Sequence, residues 1–130
     1  FSHPLEMHED ARGSFTEILR TCDRGQFSVN VSKPGITKGE HWHHTKNEKF
    51  LVVSGKGLIQ FRQIGSDEIT EYHVSGDKLE VVEIPCGYTH NIINEGNIDL
   101  VTFMWCSECF HPERPDTYTL EVAVDKGGSE

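Results

Sequence analysis

The chain has 130 residues, a length that one domain fills without room for a second hydrophobic core. Its 12 basic and 21 acidic residues give a formal charge of −9, which argues against nucleic acid as a partner because phosphate binding needs a basic surface. No apolar run approaches the roughly 20 residues that span a bilayer, and no signal-peptide pattern opens the chain. We therefore expect a soluble, cytoplasmic domain without membrane insertion. The first residue, Phe1, is not Met, which suggests a piece of a longer protein.

Short segments in which apolar and polar residues alternate follow one another along the chain. In residues 26–33, for example, Phe27, Val29 and Val31 alternate with polar side chains, as in a half-buried strand. Nine such segments predict strands, at 15–20, 26–33, 48–53, 58–64, 69–74, 79–84, 90–93, 98–105 and 117–124. No stretch shows helical periodicity with caps. The pattern predicts one all-β domain over residues 1–124, a sandwich or barrel, with residues 125–130 as a disordered tail.

Two glycine-containing turns are predicted to shape the chain between these segments. Gly55 and Gly57 bracket Lys56, which predicts a tight hairpin between segments 48–53 and 58–64. Pro85 and Gly87 end a strand, so that the chain after them enters from the opposite side.

The eight histidines are unevenly distributed, and His41, His43 and His44 fall within four positions. On a strand His41 and His43 point to the same side, whereas His44 points to the other. His41 and His43, together with Glu48 and the distant His90, could form a site of three imidazoles and one carboxylate for a divalent metal. The alternative is that this histidine-rich segment is polar surface and binds nothing.

The spacing of these residues resembles the two cupin motifs. The first, G-x5-H-x-H-x4-E-x6-G, is matched by Gly35, His41, His43, Glu48 and Gly55, and the second, P-x-G-x2-H-x3-N, by Pro85, Gly87, His90 and Asn94. Leu79 stands where the second motif has a further glycine. The resemblance implies an all-β, double-sheet cupin (jelly-roll) barrel. It also implies His41, His43, Glu48 and His90 as metal ligands.

The segment from His8 to Glu17 resembles the D-x-R-G-x-F-x-E signature of nucleotide-sugar 3,5-epimerases. That resemblance implies that Arg12 binds the diphosphate of a sugar nucleotide, a task suited to a bidentate guanidinium. Lys38 opens a Lys-Gly-Glu-His segment similar to the Arg-Gly-Leu-His of that family, and is a second substrate-binding candidate. The alternative for Arg12 is an ordinary surface arginine.

Residues 39–50 and 111–118 resemble the C-terminal cupin domains of capsular-polysaccharide-synthesising enzymes. The resemblance implies a bound Zn²⁺ or another divalent metal, and epimerisation of C3 in a UDP-linked 4-keto-6-deoxy-N-acetylhexosamine through an enolate. It further implies a homodimer, and an N-terminal short-chain reductase domain in the full-length protein that uses NADPH to reduce C4 afterwards.

Epimerisation needs one group to take the C3 proton and another to return it on the opposite face. In the metal-free epimerases the base is the histidine that matches His41, but a metal-bound imidazole cannot accept a proton. The remaining candidates near the ligands in sequence are Tyr88, Lys56 and His44, followed by His73. For each of them the alternative is a solvent-facing polar residue.

Cys106 and Cys109, followed by His111, could form a second zinc site or a redox pair, or could be two unconnected cysteines at a strand end. Two other functions also fit the ligand set. One is a non-catalytic, metal-stabilised sugar-binding or dimerisation module, and the other is a non-haem metal oxygenase.

Overall fold

The computed structural model describes residues 1–21, 23–108 and 117–123, and within these ranges the regular structure is entirely β, as predicted. No helix of a length and hydrophobicity to cross a membrane occurs in them. The eleven strands are β1 (Met7–Asp10), β2 (Gly13–Arg20), β3 (Gln26–Ser32), β4 (Thr37–Trp42), β5 (Glu48–Ser54), β6 (Lys56–Gln63), β7 (Ile69–Ser75), β8 (Val81–Ile84), β9 (Tyr88–Asn94), β10 (Leu100–Cys106) and β11 (Tyr118–Thr119).

The strands form two antiparallel sheets that pack face to face. One has six strands in the order β1-β2-β3-β10-β5-β8, and the other has five in the order β11-β4-β9-β6-β7. Alternating residues of both sheets face inward and form one core, made of Phe50, Val52, Ile59, Phe61, Val74, Val82, Ile84, Ile92 and Leu100. The predicted double-sheet architecture is therefore confirmed.

Two strands have no counterpart among the nine predicted segments. The four residues of β1 are all exposed, and β4 is polar apart from Trp42 at its end, so neither shows the alternation that marks a half-buried strand. Both are strands because a neighbour pairs with them: β1 pairs with β2, and β4 pairs with β9. Segment 117–124 contributes only the two residues of β11 to a sheet, and residue 124 lies outside the described ranges.

The predicted hairpin around Lys56 is wrong, because β5 and β6 belong to different sheets. Gly55 has a φ of +90°, and a Cβ there would lie 2.7 Å from the carbonyl oxygen of Asp99. The glycine is thus needed where the chain crosses from one sheet to the other, close to the backbone before β10.

Candidate metal centre

Four side chains converge between the two sheets. His41 and His90 come from β4 and β9 of the five-stranded sheet, His43 follows the end of β4, and Glu48 is the first residue of β5 in the other sheet. One ligand atom from each lies within 4.8 Å of those of the others. His43, Glu48 and His90 are buried, and His41 is half-buried. The structure therefore brings together the four residues that the motifs single out.

A β-bulge in β4 directs His41 into this cluster. Gly39 pairs with Asn91 and His41 pairs with His90, so Glu40 is an extra residue without a partner in β9. Gly39 has a φ of +103°, and a Cβ there would lie 2.8 Å from the carbonyl oxygen of His90. The bulge bends the strand so that His41 and His43 both reach the interior.

The Glu48 carboxylate is the electrostatic centre of the cluster. Its Oε1 atom lies 2.9 Å from Nε2 of His43 and 3.1 Å from Nε2 of His90. Burial alone would raise the pKa of Glu48, but its interactions with the two imidazoles outweigh burial and hold that pKa well below the usual range. Glu48 is therefore an anion at neutral pH.

His41 is electrically neutral under the same conditions. Burial lowers its pKa from 6.5 to about 4, and the neighbouring His90 acts in the same direction, against the attraction of Glu48. The rings of His41 and His90 lie edge to face, with centroids 4.7 Å apart. A neutral imidazole keeps a lone pair available for a metal.

The residues fit a divalent metal ion such as Zn²⁺. Three imidazoles and one carboxylate supply the nitrogen and oxygen donors that this ion takes. Nε2 of His43 and Nε2 of His90 both lie within 3.1 Å of Oε1 of Glu48, so nitrogen and oxygen donors are already gathered at one place.

Two neighbours of the cluster come from parts of the chain that sequence reasoning did not connect with it. The Cys106 thiol, at the end of β10, donates a hydrogen bond to Oε2 of Glu48 at 3.3 Å. The Thr117 hydroxyl lies 3.3 Å from Nδ1 of His43. These contacts span 58 and 74 residues, so no local pattern could reveal them. Cys109 and His111 lie outside the described residues.

The cluster opens into a cavity of about 1070 Å³ whose wall also carries Arg12 and Lys38. The exposed Arg12 guanidinium contacts Asp10, with 3.0 Å between Nη2 and Oδ2. This contact lowers the pKa of Asp10 and raises that of Arg12. Because this arginine lies on the cavity wall and reaches solvent, its guanidinium can exchange Asp10 for another anion.

Lys38 is held more tightly than the sequence suggested. Its ammonium donates to the side-chain oxygen of Asn30 at 2.9 Å and to the carbonyl oxygens of Val31 at 3.0 Å and Ser14 at 3.3 Å. Burial is the main cause of its lowered pKa, and the charge of Arg12 adds to it. Since an ammonium has three protons, all three are used, and Lys38 brings charge rather than a spare donor to the cavity.

The predicted proton-transfer candidates lie elsewhere in the described part of the chain. Lys56 and His73 line a second cavity of about 320 Å³. His44 is exposed. The ring of Tyr88 packs edge-on against Phe61, with centroids 5.7 Å apart. None of the four is among the residues that line the larger cavity.

Comparison with known proteins places the chain among polysaccharide-biosynthesis proteins. Residues 8–118 match the family described as polysaccharide biosynthesis C-terminal domain. Over 122 residues the chain is 46% identical to UDP-2-acetamido-2,6-beta-L-arabino-hexul-4-ose reductase of Pseudomonas aeruginosa. The matched region covers 94% of this chain and 33% of that protein. The crystal structure of the capsular polysaccharide assembling protein CapF from Staphylococcus aureus matches with a TM-score of 0.92 and 71% identity, over 94% of this chain and 33% of that one.

A more distant structure shares the fold alone. The dTDP-6-deoxy-D-glucose-3,5-epimerase RmlC of Legionella pneumophila matches with a TM-score of 0.66 at 20% identity, over 93% of this chain and 74% of that one. The chain spans about a third of the length of the Pseudomonas and Staphylococcus proteins. The predicted cupin fold and the resemblance to capsular-polysaccharide enzymes are confirmed. The chain belongs to the polysaccharide biosynthesis C-terminal domain family.

Proposed function

We propose that the chain is a metal-binding sugar-nucleotide epimerase domain of polysaccharide biosynthesis. Its substrate is a UDP-linked 4-keto-6-deoxy-N-acetylhexosamine, which it epimerises at C3. One observation carries the proposal: a single cavity of about 1070 Å³ holds both the histidine–glutamate cluster and the cationic side chains of Arg12 and Lys38. The names of two relatives, a reductase of a UDP-linked hexulose and a capsular polysaccharide assembling protein, support the same class of substrate.

The reaction moves only a proton. The C3–H bond lies next to the C4 ketone, so its loss leaves an enolate, and a proton returned to the other face completes the inversion without oxidation or reduction. The ligands in this proposal are His41, His43, Glu48 and His90. A divalent metal such as Zn²⁺ supplies Lewis acidity when bound there, which stabilises negative charge on a substrate oxygen.

Arg12 and Lys38 are proposed to bind the diphosphate. Arg12 can offer a bidentate pair of N–H donors once the diphosphate takes the place of Asp10. Lys38 cannot donate a further hydrogen bond, so its part is the fixed positive charge that it holds beside Arg12.

Proton transfer by Tyr88, Lys56 or His44 stays a hypothesis. Their positions outside the larger cavity mean that each requires a substrate pose different from the one that the cavity suggests. The same placement is what favours the second candidate function, a non-catalytic, metal-stabilised sugar-binding or dimerisation module.

The reduction that follows epimerisation is proposed to take place in another domain of a longer protein. We propose residues 1–124 as the epimerase domain, which works as a homodimer. A separate short-chain reductase domain then uses NADPH to reduce C4. The reductase name of the Pseudomonas relative, of which this chain covers a third, supports this division.

Solvent exchange tests the proposal. The zinc-loaded chain is incubated in D₂O with the UDP-4-keto-6-deoxy-N-acetylhexosamine, and deuterium at C3 is followed by NMR with and without a chelator. We expect incorporation that the chelator abolishes.

Arg12→Ala should weaken UDP-sugar binding by about 10- to 100-fold, the usual cost of a lost charged hydrogen bond. Arg24→Ala is the matched control, because Arg24 is exposed and lies outside the cavity lining.

Each result decides between the alternatives. Incorporation that survives confirmed metal removal would make the metal structural and overturn its catalytic part. No incorporation with a zinc-loaded chain that binds the sugar nucleotide would overturn the epimerase and establish the binding module. Substitutions Tyr88→Phe, Lys56→Met and His44→Gln that leave exchange unchanged would exclude those side chains.

A further inference from the structure

Glu40, the extra residue of the bulge in β4, has an unusual backbone. Its φ is +62°, and among the described residues it is the one non-glycine residue with a positive φ. A left-handed backbone is disfavoured for a side chain of this type, so contacts elsewhere must maintain it. A glycine would adopt the same conformation without strain, which raises the question of what the glutamate side chain does.

Both oxygens of the Glu40 carboxylate accept a hydrogen bond. Oε1 accepts from the side-chain nitrogen of Asn91 at 3.1 Å, and Oε2 accepts from the backbone nitrogen of Val122 at 2.8 Å. The Glu40 carbonyl oxygen accepts from the backbone nitrogen of Leu120 at 2.9 Å. Asn91 and Val122 are 2% and 1% exposed. One residue thus joins β4, β9 and the segment that follows β11.

These partners are the immediate neighbours of the candidate metal ligands. Glu40 precedes His41, Asn91 follows His90, and the two histidines are register partners across β4 and β9. Thr119, just before the segment that Glu40 holds, is the register partner of His41 on the other side of β4. The carboxylate therefore fixes the strands on both sides of His41. It does not line the cavity itself.

We propose that the Glu40 carboxylate is a positioning residue for the metal site. By bridging Asn91 and Val122 it holds the bulge in the conformation that aims His41 at Glu48 and His90. This inference rests on the proposed metal role of the cluster. It assigns to Glu40 a part in metal affinity, with no contact to metal or substrate.

Metal affinity and ligand-field spectra test the role independently of catalysis. Zn²⁺ affinity of the chain is measured by competition with a chromophoric chelator, and the visible spectrum of the Co²⁺-loaded chain reports ligand geometry. Glu40→Ala should weaken Zn²⁺ binding about 10- to 100-fold, the range typical of groups that orient metal ligands. Glu40→Gln should fall between wild type and Glu40→Ala, because an amide has one oxygen and can replace only one of the two acceptors.

Two further variants separate positioning from folding. Glu40→Gly removes the carboxylate but accepts the positive φ, so the chain keeps its fold even where alanine would not. Glu68→Ala is the matched control, since Glu68 is an exposed carboxylate in the loop between β6 and β7, away from the bulge. Urea unfolding of the metal-free variants measures their free energy of unfolding, and so shows whether a loss of Zn²⁺ affinity is larger than a loss of stability can explain.

Weakened Zn²⁺ binding and an altered Co²⁺ spectrum in Glu40→Gly, with Glu68→Ala like wild type, are the expected results. Wild-type affinity in Glu40→Gly would overturn the inference and leave the backbone conformation alone as the cause. Equal losses in Glu40→Gly and Glu68→Ala would also overturn it. A wild-type chain that binds neither Zn²⁺ nor Co²⁺ would overturn the proposed metal site instead.

Discussion

His41 couples the stability of the metal-free chain to pH. Its pKa is about 4 in the fold and 6.5 when unperturbed, so the unfolded chain takes up the proton first as the pH falls. The free energy of unfolding should therefore decrease between pH 6.5 and 4, by roughly 3 kcal/mol at most. The lowered pKa of Glu48 adds a loss below its ordinary value of 4.5.

Urea unfolding at pH 7.5, 6.0 and 5.0, with a chelator present, measures this dependence. His41→Gln should flatten the curve in that window, because the titrating group is gone. His8→Gln is the control, since His8 is exposed on β1. A wild-type free energy of unfolding that stays constant or rises toward pH 5 would contradict the half-buried, neutral state of His41.

The sequence predicted which residues form the cluster but not which residues surround it. The cupin spacings identify His41, Glu48 and His90 because ligand spacing is fixed by strand geometry that the family shares. The neighbours of the cluster depend on contacts between distant strands, as the Cys106 contact to Glu48 does. The face of a strand can be read from alternation, but Tyr88 shares the face of His90 and still packs into the core.

At the level of elements, the bulge of β4 is the feature most sensitive to a single substitution. Gly39→Ala would place a Cβ 2.8 Å from the His90 carbonyl oxygen at a φ of +103°. Gly35→Ala is the matched control, because Gly35 has a φ of +79° but a Cβ there would meet nothing within 4 Å. We expect Gly35→Ala to cost about 1–2 kcal/mol, the strain of the left-handed backbone alone.

Gly39→Ala should cost distinctly more than Gly35→Ala and should weaken Zn²⁺ binding as well, since relief of the clash must move β4 away from β9. Urea unfolding and chelator competition measure the two effects. Equal losses in the free energy of unfolding for the two alanine variants, with unchanged Zn²⁺ binding, would show that the close approach of β4 and β9 at Gly39 does not affect stability.

Strand prediction succeeded where one face of a strand is buried and failed where pairing alone makes the strand. Segment 26–33 alternates because the two faces of β3 differ, although its buried face carries the polar residues and its apolar residues are half-buried, whereas β1 is exposed throughout. Alternation also cannot say which sheet a strand joins. The turn at Gly55 therefore resembled a hairpin, although the chain there passes from one sheet to the other.

For the whole molecule, metal removal should lower thermal stability. A ligand that binds only the folded state at 100 times its Kd contributes about 2.7 kcal/mol, which corresponds to several degrees of Tm in a domain of this size. We expect a chelator to lower the Tm of the zinc-loaded chain by that amount. Differential scanning calorimetry measures the shift.

His90→Ala should abolish the chelator effect, because it removes one of the four proposed ligands. His73→Ala should preserve the effect, since His73 lies in the second cavity and pairs with Glu95. A chelator shift of the same size in His90→Ala as in wild type would place the bound ion outside the cluster.

The net charge of −9 predicted an acidic molecule but not where its cations lie. Arg12 and Lys38 are 26 positions apart in the chain and line the same cavity because the turn between β1 and β2 and strand β4 both border it. The family signature found Arg12, whereas composition could not. The three acceptors that hold Lys38 depend on tertiary packing that no pattern of residues encodes.

The cluster draws its members from both layers of the barrel, with His41 and His90 on one sheet and Glu48 on the other. An ion held by all of them would act as a cross-link between the layers, one that has to break before the sheets can part. If the four side chains meet only after β4, β5 and β9 have paired, such a cross-link would slow unfolding without speeding folding. Metal content would then set the lifetime of the folded state. A chain that loses its ion would unfold faster and be cleaved by proteases, even while its free energy of unfolding still favours the folded state.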